Sequence, residues 1–166
     1  MTKQLFIIRH GKSDWSSPFG SDFERPLNKR GRRQARQLGV WMVAQGILPD
    51  IIVSSPAMRA KQTSELVNES LDMVNLCWQE DLYLAGLSTL LNITSYYLQD
   101  YSNVMLVGHN PGLETLLEAI CPGVLPVTDN GKLLTTANLA QVELEVAAST
   151  PFKGKLLRLI RPKDIS

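Results

Sequence analysis

At 166 residues the chain has the length of one domain, enough to bury roughly 70% of its unfolded surface without disulfide or metal support. Its 17 Lys and Arg nearly balance 16 Asp and Glu, for a net charge of +1, which argues against a general nucleic-acid binder. The hydrophobic fraction of 44% is that of a soluble globular chain, and the short apolar run before Arg9 is neither a signal peptide nor a membrane span. A cytoplasmic protein is expected. Cys77 and Cys121 are isolated and read as small core residues of a reducing compartment. Together with only two histidines they match no zinc ligand pattern, so neither metal nor cofactor is expected.

In chain order, the apolar run at 4–9 predicts a first strand. Residues 12–27 form a polar loop long enough to wall a pocket. Asn28 caps a predicted helix running to about Ala44, with Ala35, Leu38 and Met42 on one face and Gly46 past its end. Lys29-Arg30-Gly31-Arg32-Arg33 reads as a solvated face that adds a local positive field. Asp50–Ser54 is a second strand. Ser55-Pro56 marks a helix start, with Ser as N-cap and Pro at the first helical position, and that helix runs to about Asn68. Val74–Trp78 is a third strand. Leu87–Leu98 has helical spacing, with Leu87, Leu90, Leu91, Thr94 and Leu98 near one face. The strand at 103–108 leads into His109-Asn110-Pro111, a second cap-then-proline start of a helix reaching about Ile120. A Pro- and Gly-containing loop covers 123–136. Residues 140–146 alternate as a half-buried strand, 155–161 form the last, and the two pair as a hairpin. Strands alternating with helices predict an α/β fold with a mainly parallel sheet, in one domain spanning 1–166.

The two histidines both stand at strand exits: His10 after Leu5-Phe6-Ile7-Ile8-Arg9, and His109 after Val104-Met105-Leu106-Val107-Gly108. Ligands of open α/β sheets bind beyond the carboxyl ends of such strands. Arg9 leaves the first strand with His10, Arg59 lies in the first turn of the second helix, and His109 adjoins a helix N-terminus, which favours anions. Guanidinium forks bind phosphate oxygens bidentately, so a phosphoryl group is the natural occupant. One imidazole can attack phosphorus if its other nitrogen is held by an acceptor. The second imidazole and the arginines then neutralise the equatorial oxygens.

Arg9-His10-Gly11, Leu27-Asn28-Lys29-Arg30-Gly31-Arg32-Arg33-Gln34-Ala35, Ser54-Ser55-Pro56-Ala57-Met58-Arg59-Ala60-Lys61-Gln62-Thr63 and Val107-Gly108-His109-Asn110 together resemble the histidine phosphatase (phosphoglycerate mutase-like) superfamily. The resemblance implies a three-layer α/β/α fold, a metal-independent phosphatase, and His10 as nucleophile. It implies Arg9, Arg59 and His109 as the phosphate pocket. Six residues past the nucleophile, where the family usually carries Asn, this chain has Ser16. Ser16 and Asn110 are counted as further phosphate contacts.

Relatives acting on alkyl esters usually carry a Glu or Asp general acid, since an alkoxide leaves poorly and proton transfer contributes ~10²–10⁴-fold. In Gln79-Glu80-Asp81-Leu82-Tyr83-Leu84-Ala85-Gly86, Glu80 and Asp81 precede the position where that acid usually falls, and read as surface residues. Asp14 and Glu24 are weaker candidates. A missing acid and a length that leaves little material for a lid resemble the small bacterial phosphohistidine phosphatases. The expected function is hydrolysis of phosphohistidine on a protein partner. The alternatives are a phosphatase for small phosphorylated metabolites, using one of those carboxylates, and a weakly catalytic phosphoprotein-binding module.

Overall fold

The computed structural model describes residues 2–16, 18, 20–72, 74–145 and 152–165. Six strands form one sheet: β1 (Thr2–Arg9), β2 (Ile51–Ser54), β3 (Asn75–Trp78), β4 (Asn103–Gly108), β5 (Leu139–Glu145) and β6 (Lys153–Ile160). Their order is β3-β2-β4-β1-β5-β6. The β3, β2, β4 and β1 pairings are parallel, while β5 joins β1 and β6 antiparallel. The mixed sheet with its terminal antiparallel pair agrees with the sequence expectation. Val146, placed by the sequence in the fifth strand, lies outside the described residues.

β1 is flanked on both edges and covered on both faces, which explains its unbroken apolar run. Leu5 and Ile7 join the core under α3 (Leu87–Leu98) and α4 (Gly112–Ile120). Phe6 and Ile8 join the core under α1 (Lys29–Ala44) and α2 (Met58–Asn68). The same period-two division runs through Ile51 to Val53 and Val104 to Val107, giving a three-layer α/β/α arrangement. Asn28 caps α1 as expected, its side chain accepting from the Gly31 amide at 2.8 Å, and Ala35, Leu38 and Met42 are buried. Gly31 is required by close approach: a Cβ there would collide with the Lys12 backbone just after β1. On α3 the buried face is Leu90, Ile93, Thr94, Tyr97 and Leu98, with Leu87 and Leu91 packed at its margin.

Both proline-marked helix starts fall later than the sequence suggests. α2 begins at Met58 behind Ala57, and α4 at Gly112 behind Pro111. Ser55 does not cap α2. Its Oγ receives the Ala57 amide in the preceding turn, at 3.2 Å, and meets His109. Cys121 is buried and Cys77 half-buried, both as free thiols. Among the described residues no helix is long and apolar enough to cross a membrane.

Candidate active site

β2, β4 and β1 are neighbours, and their ladders run one step past the strand ends. The His10 amide donates to the Gly108 carbonyl at 3.1 Å, and the Ser55 amide to the Val107 carbonyl at 3.0 Å. Ser55, His109 and His10 therefore leave three adjacent strands side by side. The imidazoles are both buried, with centroids 5.2 Å apart.

His10 has a fixed tautomer. Its Nδ1 lies 2.7 Å from the Gly11 carbonyl, which can only accept, so Nδ1 carries the proton and Nε2 the lone pair. The Gly11 amide is held by Thr63 Oγ1 at 2.9 Å, and that hydroxyl donates to the Arg59 carbonyl at 2.7 Å. The peptide orienting His10 is thus tied to α2. Burial, then the nearby Arg59, Arg9 and Arg25 charges, push His10 down to about 4, against the upward pull of the Gly11 carbonyl. It is neutral at pH 7.

His109 is pushed down to about 3, by burial first and then by His10 and Arg59. Its Nε2 meets Ser55 Oγ at 2.8 Å, while Nδ1 is buried without a partner. The Ser55 hydroxyl proton has no other acceptor among the described contacts, so it donates to Nε2 and leaves an unpaired Nδ1–H. That donor is available to an oxyanion.

Arg59 is buried in the first turn of α2, and its Nε donates to His10 Nε2 at 3.3 Å. Arg9 donates from Nη1 to the Leu134 carbonyl at 3.1 Å, leaving Nε buried and unpaired. Asn110 Nδ2 donates to the same carbonyl at 3.0 Å. Glu114 of α4 fixes that loop by accepting the Leu133 and Leu134 amides at 2.9 and 2.7 Å.

The structure therefore brings His10, Arg59 and His109 together, with Arg9 and Asn110 anchored through one carbonyl. Ser16 is not part of the group: it is exposed, and both its amide and Oγ donate to Asp14 Oδ1 at 2.8 Å. Glu80 and Asp81 are exposed on a short 3-10 turn, and Glu24 is exposed on another.

The carboxylate that does reach Arg59 is Asp22, which the sequence reading did not single out. Arg59 Nη2 meets its Oδ2 at 3.0 Å and Nη1 its backbone carbonyl at 2.7 Å. The Tyr83 hydroxyl donates to the same Oδ2 at 2.6 Å, and the Tyr83 ring stands edge-on to His109 at 5.4 Å. Arg25 holds Oδ1 at 3.0 Å. The Tyr83 hydrogen bond, with Arg59, keeps the Asp22 carboxyl below its ordinary range, and Tyr83 is raised in return. Only the run Asp22-Phe23-Glu24-Arg25 before Pro26-Leu27, dense in charge inside an otherwise small-residue loop, could have drawn attention to this cluster. Among the described residues no group of three or more His, Cys, Asp or Glu could hold a metal ion.

A three-layer fold with paired histidines at the strand exits defines a class, and comparison with known proteins supplies its name. Residues 5–83 match the histidine phosphatase superfamily (branch 1), and the chain resembles that superfamily of enzymes. Within it the chain resembles the SixA group. It is 28% identical to the phosphohistidine phosphatase SixA of Escherichia coli (strain K12), over 92% of each chain. A solved chain from Agrobacterium tumefaciens assigned as the phosphohistidine phosphatase SixA superposes with a TM-score of 0.78. It is 26% identical, with 96% of this chain and 98% of that one covered. The protein histidine phosphatase SixA complexed with tungstate shares the fold, at a TM-score of 0.82 and 24% identity, covering 98% and 99%.

Proposed function

We propose that this enzyme hydrolyses phosphohistidine on a protein partner, with His10 as nucleophile. His10 Nε2 attacks phosphorus, the P–N bond to the substrate imidazole breaks, and the departing nitrogen takes its proton from solvent. Water then attacks the phosphoryl group on His10, releasing orthophosphate and returning the lone pair to Nε2. Arg59, Arg9 and the Nδ1–H of His109 stabilise the equatorial oxygens, and Asn110 lies at the edge of the same pocket. Ser16 enters the proposal only if its bond to Asp14 gives way.

The observation that carries the choice of substrate is the state of Asp22. It is the carboxyl joined to Arg59, and Tyr83 and Arg59 hold it ionised, so it has no proton to give. Tyr83, raised above an ordinary phenol, is a poorer acid than water-exposed tyrosine. An alkoxide would leave unaided from such a site. An imidazole, protonated by solvent near neutral pH, needs no help.

A protein partner is supported by the surface on the same rim. Arg30, Arg33, Thr135, Thr136 and Arg161 line an open groove of about 540 Å³. Thr135 and Thr136 directly precede Ala137, whose amide donates to the Arg9 and His10 carbonyls at 3.0 and 3.2 Å. The first turn of α1 contains no acidic residue; its cations sit at the positive end of the helix dipole, where they cost stability and build a field that attracts an acidic or phosphorylated face. We place the protein in the cytoplasm, in keeping with its two free thiols.

The test compares one peptide carrying phosphohistidine with the same peptide carrying phosphoserine. Because proton donation is typically worth ~10²–10⁴-fold, kcat/KM should favour phosphohistidine by about 10² or more. A preference for phosphoserine, lost in Glu80→Gln or Asp81→Asn, would assign the general acid to that residue and the enzyme to alkyl phosphate esters.

A further inference from the structure

We propose that Asp22 is a stand-in for the substrate's phosphoryl group, occupying Arg59 and Arg25, so that only an anion able to displace it gains the pocket. This rests on the reading that Arg59 receives a phosphoryl group.

Every nitrogen of Arg59 is engaged. Nη1 and Nη2 are on Asp22, and Nε is on His10 Nε2. The fork that would grip phosphate therefore already holds an oxygen pair, one from a carbonyl and one from a carboxylate. The lone pair that would attack phosphorus meanwhile faces an N–H donor. These contacts block the site on both counts. A phosphoryl group that took Nε and Nη2 of Arg59 would remove the carboxylate from the fork and free the His10 lone pair in one exchange.

Arg25 shows the same incompleteness from the other side. It is 5% exposed, stacked on the Trp15 ring at 3.4 Å. Its Nη2 meets Asp22 Oδ1, yet Nε and Nη1 are buried with no hydrogen-bond partner. A guanidinium with two dry, unsatisfied donors is costly unless a ligand with more acceptor oxygens completes it. A carboxylate offers two oxygens and one charge; a phosphoryl group offers three oxygens and up to two charges. Arg25 and Arg59 grip the same carboxylate, one on each oxygen at 3.0 Å, so the two guanidinium groups converge on one anion position.

Displacement is mechanically easy. The 3-10 turn Asp22–Glu24 buries none of its residues, and the Asp22 side chain is 47% exposed. Only the Asp22 side chain need leave: Phe23 can stay edge-on to Tyr83 at 5.1 Å, and the Asp22 carbonyl can keep the Arg25 amide and Arg59 Nη1. Asp22 thereby sets a charge threshold: a doubly charged phosphoryl group outcompetes it, and a singly charged oxyanion gains little over it.

The test is calorimetric titration of the full chain with orthophosphate at pH 7.5. Asp22→Asn keeps an acceptor for Tyr83 but removes the competing charge, and should lower the phosphate Kd by about tenfold, the scale of one charge-assisted contact. Asp22→Ala should do the same, and serves if the amide variant misfolds. Arg25→Gln should raise the Kd by about tenfold, with Arg25→Lys intermediate because the fork is lost. Unchanged or weaker phosphate binding in both Asp22 variants would overturn the proposal, making Asp22 a residue that merely positions Arg59. If instead wild type and Arg59→Ala bind phosphate equally poorly, the underlying reading of the pocket fails, a result distinct from failure of the Asp22 exchange.

Discussion

Replacing His10 by alanine is expected to abolish turnover, with a loss on the order of 10⁴-fold or more, because the step that splits the reaction in two has no other nucleophile. The neighbouring imidazole cannot substitute. The Nε2 of His109 is taken by Ser55, and its Nδ1 is left as a donor rather than a lone pair. Steady-state assays on a phosphohistidine peptide check this, and near-normal hydrolysis by the variant would remove His10 from the nucleophile's role. The same variant reports on the buried ring through pH. An ordinary histidine has a pKa near 6.5, and folding lowers that of His10 to about 4. Between those values the unfolded chain binds the proton and the folded chain does not, so stability rises with pH. The contribution is complete above pH 6.5 and is lost as pH falls to about 4. Its size is about 3 kcal/mol for a shift of this order. Thermal melts of wild type should therefore fall more steeply from pH 7 to pH 4.5 than those of His10→Ala. Parallel curves would contradict the burial argument.

Arg59→Ala should lower kcat/KM by about 10²-fold, since one charge-assisted contact made to the transition state is worth roughly 3 kcal/mol. The variant loses the fork for the equatorial oxygens, a loss that outweighs release of the His10 Nε2 lone pair from the Arg59 Nε–H at 3.3 Å. It also releases Asp22 from one of its two arginines, but a freed carboxylate cannot replace a cation. Arg59→Lys should recover part of the charge and little of the geometry, because an ammonium cannot reproduce a bidentate fork. Comparison of kcat and KM across the three proteins checks this; a loss of only a few-fold for alanine would place Arg59 outside the transition state's reach.

The strands and the positions of both histidines were legible because burial on two faces writes a continuous apolar run, and the polar residue ending such a run stands out. Asn28 as a cap was equally legible, since its local chemistry is complete within four residues. The helix starts at Ser55-Pro56 and Asn110-Pro111 fall two residues and one residue later than local capping chemistry predicts. Local capping chemistry predicts a role for Ser55 that tertiary structure reassigns to His109. The Asp22, Arg25 and Tyr83 cluster left only a charge-dense run at 22–25 as its sequence signal. Tyr83 and Asp22 are 61 residues apart, and the loop that carries Asp22 has no periodicity to place its side chains. Glu80 and Asp81 lie close to this cluster in sequence, but both are exposed. Tyr83, just beyond them, is the residue that turns inward. Its partner removes, rather than supplies, a proton donor.

The most direct measurement of the central claim is rapid quenching of the enzyme with a phosphohistidine peptide radiolabelled at phosphorus. The quench is in base, where phosphohistidine survives, and is followed by digestion and mapping of the label. The account predicts label on the His10 peptide within the first turnover, lost on acid treatment and absent from His10→Ala. Orthophosphate release without any phosphoenzyme, or label on His109 instead, would contradict it.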